Sequence, residues 1–193
     1  LHGVLLLALI ITIISVVYTY VSSENTIYVS DYAGYQNIAH NIVSSYRQSP
    51  LSAMRAIALS TLEEYNALFT IPLIPWMLIF GESRMAFELG LGIIYLLPFT
   101  LILGALAVQL LPTRPGTVFW STVAFALLTP IVWVPTLRGY PDTGAAFLIA
   151  LAVWVYLRDT RLTRWWQNPV IGFLVVGALL FRRHFAYAGI AFF

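Results

Sequence analysis

The chain has 193 residues, of which 60% are hydrophobic and 9% charged, with a net charge of +2 and no cysteine. A soluble domain carries roughly 25% charged residues, so the composition excludes an ordinary soluble core and points to an integral membrane protein. Without cysteine there is no disulfide framework and no thiolate metal site. All ten basic residues are arginine, and no basic patch interleaved with aromatics points to nucleic acid.

Residues 4–21 carry no charge, long enough for a spanning helix of ~18 to 20 residues. A cleaved signal peptide would have an apolar core of only ~7 to 15 residues, so an uncleaved first span is expected. The chain begins at Leu1 and stops at Phe193 inside an apolar run, and is expected to be the N-terminal part of a longer protein. The long polar passage that follows, Glu24 to Tyr65, opens a predicted first external loop over 22–84 and holds Glu24, Asp31, Glu63 and Glu64, half of the eight acidic residues. Within it, Ile38, Ile42, Val43 and Tyr46 fall at helical spacing, as do Leu51, Met54, Ala58 and Leu62, and Ser49-Pro50 separates the two runs. Both are predicted to be amphipathic helices lying at the membrane interface.

Residues 69–80 are apolar but contain Pro72 and Pro75. At about 1.5 Å per residue they cover roughly 18 Å against a hydrocarbon core of ~30 Å, which predicts a re-entrant or interfacial segment. The runs 85–111, 117–137, 143–157 and 169–193 complete five predicted spans of an all-α polytopic membrane protein. Counting arginines does not choose an orientation. Five spans with the N-terminus inside divide eight arginines four and four, whereas a six-span model with the N-terminus outside puts six inside and two outside.

Several residues invite a chemical role. Asp31 sits among Tyr28, Tyr32 and Tyr35 and is either a reactive carboxylate or a cap for a helix over 33–46. Arg182, Arg183 and His184 interrupt the last apolar run. Ionisable groups within a bilayer cost several kcal/mol unless paired or hydrated, and so mark a cavity, unless 169–181 is a short helix that ends at the interface. Asp142 is a site carboxylate or the partner of Arg138, four residues earlier, and Glu88 is expected to pair with Arg84. Glu63 and Glu64 read as a solvated pair, His40 as a residue on the polar face of its helix, and most of the six tryptophans as interfacial anchors.

The order of these features carries a resemblance. A first span, then VSDYAGYQNIAHNI, then Glu63-Glu64 ahead of a Pro-containing segment ending in LIFGESRMAFELGLGIIY, then a Pro-Asp pair in LRGYPDTGAAFLIALAVWVYLR, resembles the membrane glycosyltransferases of the GT-C fold. These use polyprenyl-phosphate sugars and include protein mannosyltransferases and lipid A aminoarabinose transferases. The resemblance implies a polyprenyl-phosphate-linked sugar as donor, a multi-pass protein of the cell membrane and an active loop on its external or periplasmic face. It places the reaction centre at Asp31, as general base or metal contact, although Tyr32 stands where the family often has a second acid. Glu64 matches an acid that contacts a metal in the aminoarabinose transferases, with Tyr65 in place of the expected lysine. Asp142 matches an acid after the third span. A divalent metal is thereby left open as a cofactor, with Asp31 and Glu64 as its ligands.

Sugar transfer from a lipid phosphate to a hydroxyl needs a carboxylate to take the acceptor proton and cations to hold the departing phosphate. Asp31 is the candidate base, and Tyr32, Tyr35, Glu64, Asp142, Arg182, Arg183 and His184 are the candidate substrate contacts. The other readings are a transporter or lipid flippase, for which internal repeats are expected, and a non-catalytic membrane subunit.

Overall fold

The computed structural model describes residues 2–24, 31–63 and 65–190, apart from the side chains of Asp31 and Tyr32. Among the described residues the fold is all helical. The first helix, α1 (His2–Ser23), is a largely exposed apolar rod that buries Ile13 and Val17. Two helices of the polar passage follow, α2 (Asp31–Gln48) and α3 (Pro50–Ser60). Their boundary has a local cause: the Ser49 side chain accepts from the Ser52 amide at 3.3 Å, and Pro50 stands in the first turn, where its missing N–H costs nothing.

The stripe of α2 corrects the interfacial expectation. Val43 and Ile42 are buried, and Ile38 and Tyr46 pack against the same core, which also holds Phe69, Leu73 and Met77. This apolar face is therefore covered by protein. On α3 the predicted stripe residues Leu51, Met54 and Ala58 are exposed, as is Leu62 in the turn just after it, while Ala53 and Ile57 face inward, as for a helix with one face toward lipid.

Residues 69–80 do not form one segment. A 3₁₀ turn, Leu68–Thr70, leads into α4 (Leu73–Phe80), whose eight residues cover about 12 Å at ~1.5 Å each. That is far too short to cross, which removes the six-span alternative.

Next, α5 (Arg84–Leu91), a π turn (Gly92–Leu96) and α6 (Leu97–Leu110) make one helix of 27 residues. Pro98 has no N–H to return to the preceding turn, and the π turn directly before it is where the ladder adjusts. Here α1 crosses: a Cβ at Gly92 would lie 2.8 Å from Ile13 Cγ2, so the approach requires glycine.

The predicted span 117–137 is broken. It forms α7 (Pro115–Leu128) and α8 (Pro130–Leu137), bent by 61° at Thr129-Pro130. The Trp133 indole donates to the Leu127 carbonyl at 2.7 Å, occupying an acceptor at the break. Beyond it lie α9 (Asp142–Arg158) and α10 (Gln167–Phe181).

The predicted span 169–193 is also corrected. Arg182 leaves the helix in an extended conformation (φ −153°, ψ 119°), and a 3₁₀ turn, Arg183–Phe185, precedes the short α11 (Ala186–Ile190). Two helices, α1 and the α5–α6 rod, are long and apolar enough to cross a membrane, or three if the bent α7–α8 pair counts as one. In the bundle, α9 packs between α6 and α10, and α6 also packs on α7.

Candidate functional site

At the end of the bundle that carries α2 to α4, four pieces of chain converge: Tyr35 of α2, Tyr65 and Asn66 after α3, Tyr140 and Asp142 at the start of α9, and Phe181 to His184 after α10. Arg182 is the hub. Its Nε donates to Asp142 Oδ1 at 3.2 Å and its Nη1 donates to the Tyr35 hydroxyl. Its guanidinium carbon lies 5.3 and 5.2 Å from the ring centroids of Tyr35 and Tyr140, within cation–π range. His184 Nε2 is 3.4 Å from the same Asp142 oxygen. The ion pair is largely shielded, with side-chain exposures of 24% for Arg182 and 19% for Asp142.

Local structure explains the meeting. Asp142 stands in the first turn of α9, where a carboxylate gains from the helix dipole. Gly144, half a turn on, lets α10 close in, because a Cβ there would lie 2.8 Å from Phe181 Cε1. Phe181 also packs edge-on against Tyr95, whose hydroxyl donates to the Phe69 carbonyl. Tyr35 is buried and meets the rings of Tyr65, Phe69 and Tyr140 edge-on at 5.4 to 5.8 Å. Burial pushes its phenol above the ordinary value against the opposing pull of Arg182, so the ring keeps its proton at neutral pH.

These groups border a cavity of about 200 Å³ lined by Tyr35, Tyr65, Asn66, Phe181, Arg182, Arg183 and His184. The link after α3 is tied across it. Asn66 donates to the Leu180 carbonyl, and Arg183 Nη2 donates to the Glu63 carbonyl at 2.8 Å. Asp142 Oδ2 is buried and accepts no hydrogen bond among the described residues.

Of the residues singled out from sequence, Tyr35, Asp142, Arg182 and His184 come together, and Arg183 lines the same cavity. Asp142 pairs with Arg182 and His184, not with Arg138. The 169–181 helix does end at the arginines, yet Arg182 is enclosed at its end. Asp31 opens α2, one turn before Tyr35. Its side chain, that of Tyr32 and the whole of Glu64 lie outside the described residues, and with them the candidate base and both candidate metal ligands. Among the described residues no group of three His, Asp or Glu side chains could hold a metal. Tyr65, Asn66, Tyr140 and Phe181 were not singled out. Two had a signal: Tyr65 directly follows Glu64, and Tyr140 stands two residues before Asp142.

Two further ionic clusters brace this end. Glu82 takes His40 and Arg47 of α2, with Arg47 Nη1 at 2.6 Å. Arg84 pairs with Glu24, just past α1, and also with Glu88 at 2.7 Å, the latter as its spacing predicts. No protein-family model, curated protein or solved structure matches the chain.

Proposed function

We propose that the chain is the N-terminal transmembrane module of a GT-C type glycosyltransferase, which moves a sugar from a polyprenyl-phosphate donor to a lipid, glycan or protein acceptor at the external membrane face. One observation carries the reading: Arg182, held by Asp142 and Tyr35, faces a cavity shared with Arg183 and His184 where the apolar helices α9 and α10 end. A lipid-anchored phosphate brings its charge to that depth.

In this reading the N–H groups of Arg182 not used by Asp142 and Tyr35 act with Arg183 and His184 to stabilise the departing phosphate. Tyr35 and Tyr65 offer aromatic surface to the sugar. Asp31 takes the proton of the acceptor hydroxyl, whose oxygen bonds to the anomeric carbon as the bond to phosphate breaks, in one displacement with inversion. A divalent metal at Asp31 and Glu64 belongs to the same reading and is tested by chelation. Five helices cross: α1, the α5–α6 rod, the α7–α8 pair, α9 and α10. The last two span roughly 26 and 22 Å of a ~30 Å core.

The test is transfer from a radiolabelled polyprenyl-phosphate sugar in membranes containing the protein at matched levels. Arg182→Ala is expected to lower transfer by about 10²-fold or more, as loss of a preorganised donor does. Asp31→Asn is expected to lower it about 10²- to 10⁴-fold, as loss of a base does. Transfer unchanged in both variants would overturn the proposal.

A further inference from the structure

The opposite end of the same two helices carries a second feature. A groove of about 630 Å³ runs between α9 and α10 as far as Ala188 of α11, walled chiefly by Ile149, Val153, Ile171, Gly172, Val175 and Val176. Its volume falls within the ~300 to 1,000 Å³ of small-molecule sites. Its walls run from Ile149 to Tyr156 on α9 and from Asn168 to Val176 on α10. At ~1.5 Å per residue they are about 10 to 12 Å long, close to one leaflet of a ~30 Å hydrocarbon core.

Tyr156, Leu162 and Asn168 line the groove at the end where α9 turns into α10. That turn is basic. Arg158, Arg161 and Arg164 are all exposed, and Trp165 is 87% exposed beside them. Arg158 lies 3.8 Å over the Trp154 ring. The one acid of the turn is already engaged: Asp159 accepts from the Thr163 hydroxyl at 2.5 Å, the Thr163 amide at 3.0 Å and the Arg161 amide at 3.3 Å. Among the described residues none of the three arginines forms an ion pair with it. Gln167 fixes the turn by donating to the Val155 carbonyl and accepting from the Arg164 amide, both at 3.4 Å.

We propose that this end is a binding site for one anionic phospholipid, with an acyl chain in the α9–α10 groove and its phosphate and acidic headgroup on Arg158, Arg161 and Arg164. Charge complementarity selects the headgroup, since three exposed arginines against the single acid Asp159 leave the turn net positive and attract an anionic surface. Groove length selects a single-leaflet chain over a long isoprenoid. The site rests on the crossing of α9 and α10 proposed above and not on sugar transfer.

Native mass spectrometry of the purified chain, titrated with phosphatidylglycerol or phosphatidylcholine of identical chains, tests it. Phosphatidylglycerol is expected to be retained in preference, and Arg161→Gln and Arg164→Gln each to weaken its binding about fivefold while leaving phosphatidylcholine unchanged. Gly172→Leu fills the groove where an added Cβ meets no atom within 4 Å, and is expected to lower retention of both lipids. The arginine variants are exposed and keep the test decisive if Gly172→Leu fails to fold. Equal retention of the two lipids would overturn the headgroup site while leaving the crossing intact. Retention of neither would count against the crossing as well, and a lipid-free dimer would assign the groove to a second copy of the chain.

Discussion

The two ends of the bundle treat charge in opposite ways. At the end that carries α2 to α4, Arg182 is locked to Asp142, Arg84 to Glu24 and Glu88, and Arg47 to Glu82, while Arg55 and Arg183 stay exposed with no ion pair among the described residues. At the other, Arg114, Arg158, Arg161 and Arg164 are exposed, and among the described residues none forms an ion pair. A half-buried guanidinium must be paired because desolvation is expensive, whereas an exposed one is solvated and free to meet a partner outside the chain. Paired charge holds the first end in shape, and unpaired charge makes the second a surface.

The comparison can be broken most severely at its hub. Arg182→Ala leaves the Asp142 carboxylate shielded and without its main partner, and is expected to destabilise by about 2 to 4 kcal/mol, read by denaturant unfolding in lipid nanodiscs. Replacing both partners by apolar residues, Arg182→Met with Asp142→Leu, is expected to recover part of that loss. A double variant no more stable than Arg182→Ala would show that the pair does more than neutralise itself.

Gly144→Val is expected to cost about 1 to 3 kcal/mol, because the added atoms meet Phe181 and Tyr95. It should also displace Arg182 from Asp142, which histidine and arginine side-chain NMR signals would register.

Glu82→Gln removes the negative charge and one of the two acceptor oxygens that hold His40 and Arg47, and is expected to cost roughly 1 kcal/mol, seen as faster amide exchange confined to α2. Smallest of all, Arg161→Gln with Arg164→Gln should change stability by no more than about 0.5 kcal/mol. A larger loss would mean that the exposed end is braced like the first.

Particular residues show how far the sequence was readable. Ser49-Pro50 marked the α2–α3 boundary because capping and proline act within a few residues. The Arg84–Glu88 pair followed from one helical turn. Pro98 and Pro130 lie where the helices adjust, but the sequence does not say whether a proline bends a span by 61° or is absorbed by a π turn. That depends on neighbours such as Trp133 and Ile13, which sit on other turns or other helices.

The candidate site divides along the same line. Arg182, Arg183 and His184 were conspicuous as charges in an apolar run, and Asp142 as an acid at a helix start. What joins them spans large separations: Tyr35 to Arg182, Asn66 to Leu180 and Glu63 to Arg183. A sequence without aligned relatives carries no local signal for such contacts.

The sequence alone determined the apolar composition of a membrane protein and the all-helical character, because hydrophobic content and turn chemistry are properties of the chain itself. Only the tertiary structure decided which apolar stripe is covered by protein and which carboxylate Arg182 takes. It also decided that the last predicted span stops at Phe181. Each of these turns on the free energy of burying a group against a particular neighbour, and the neighbour is supplied by the fold.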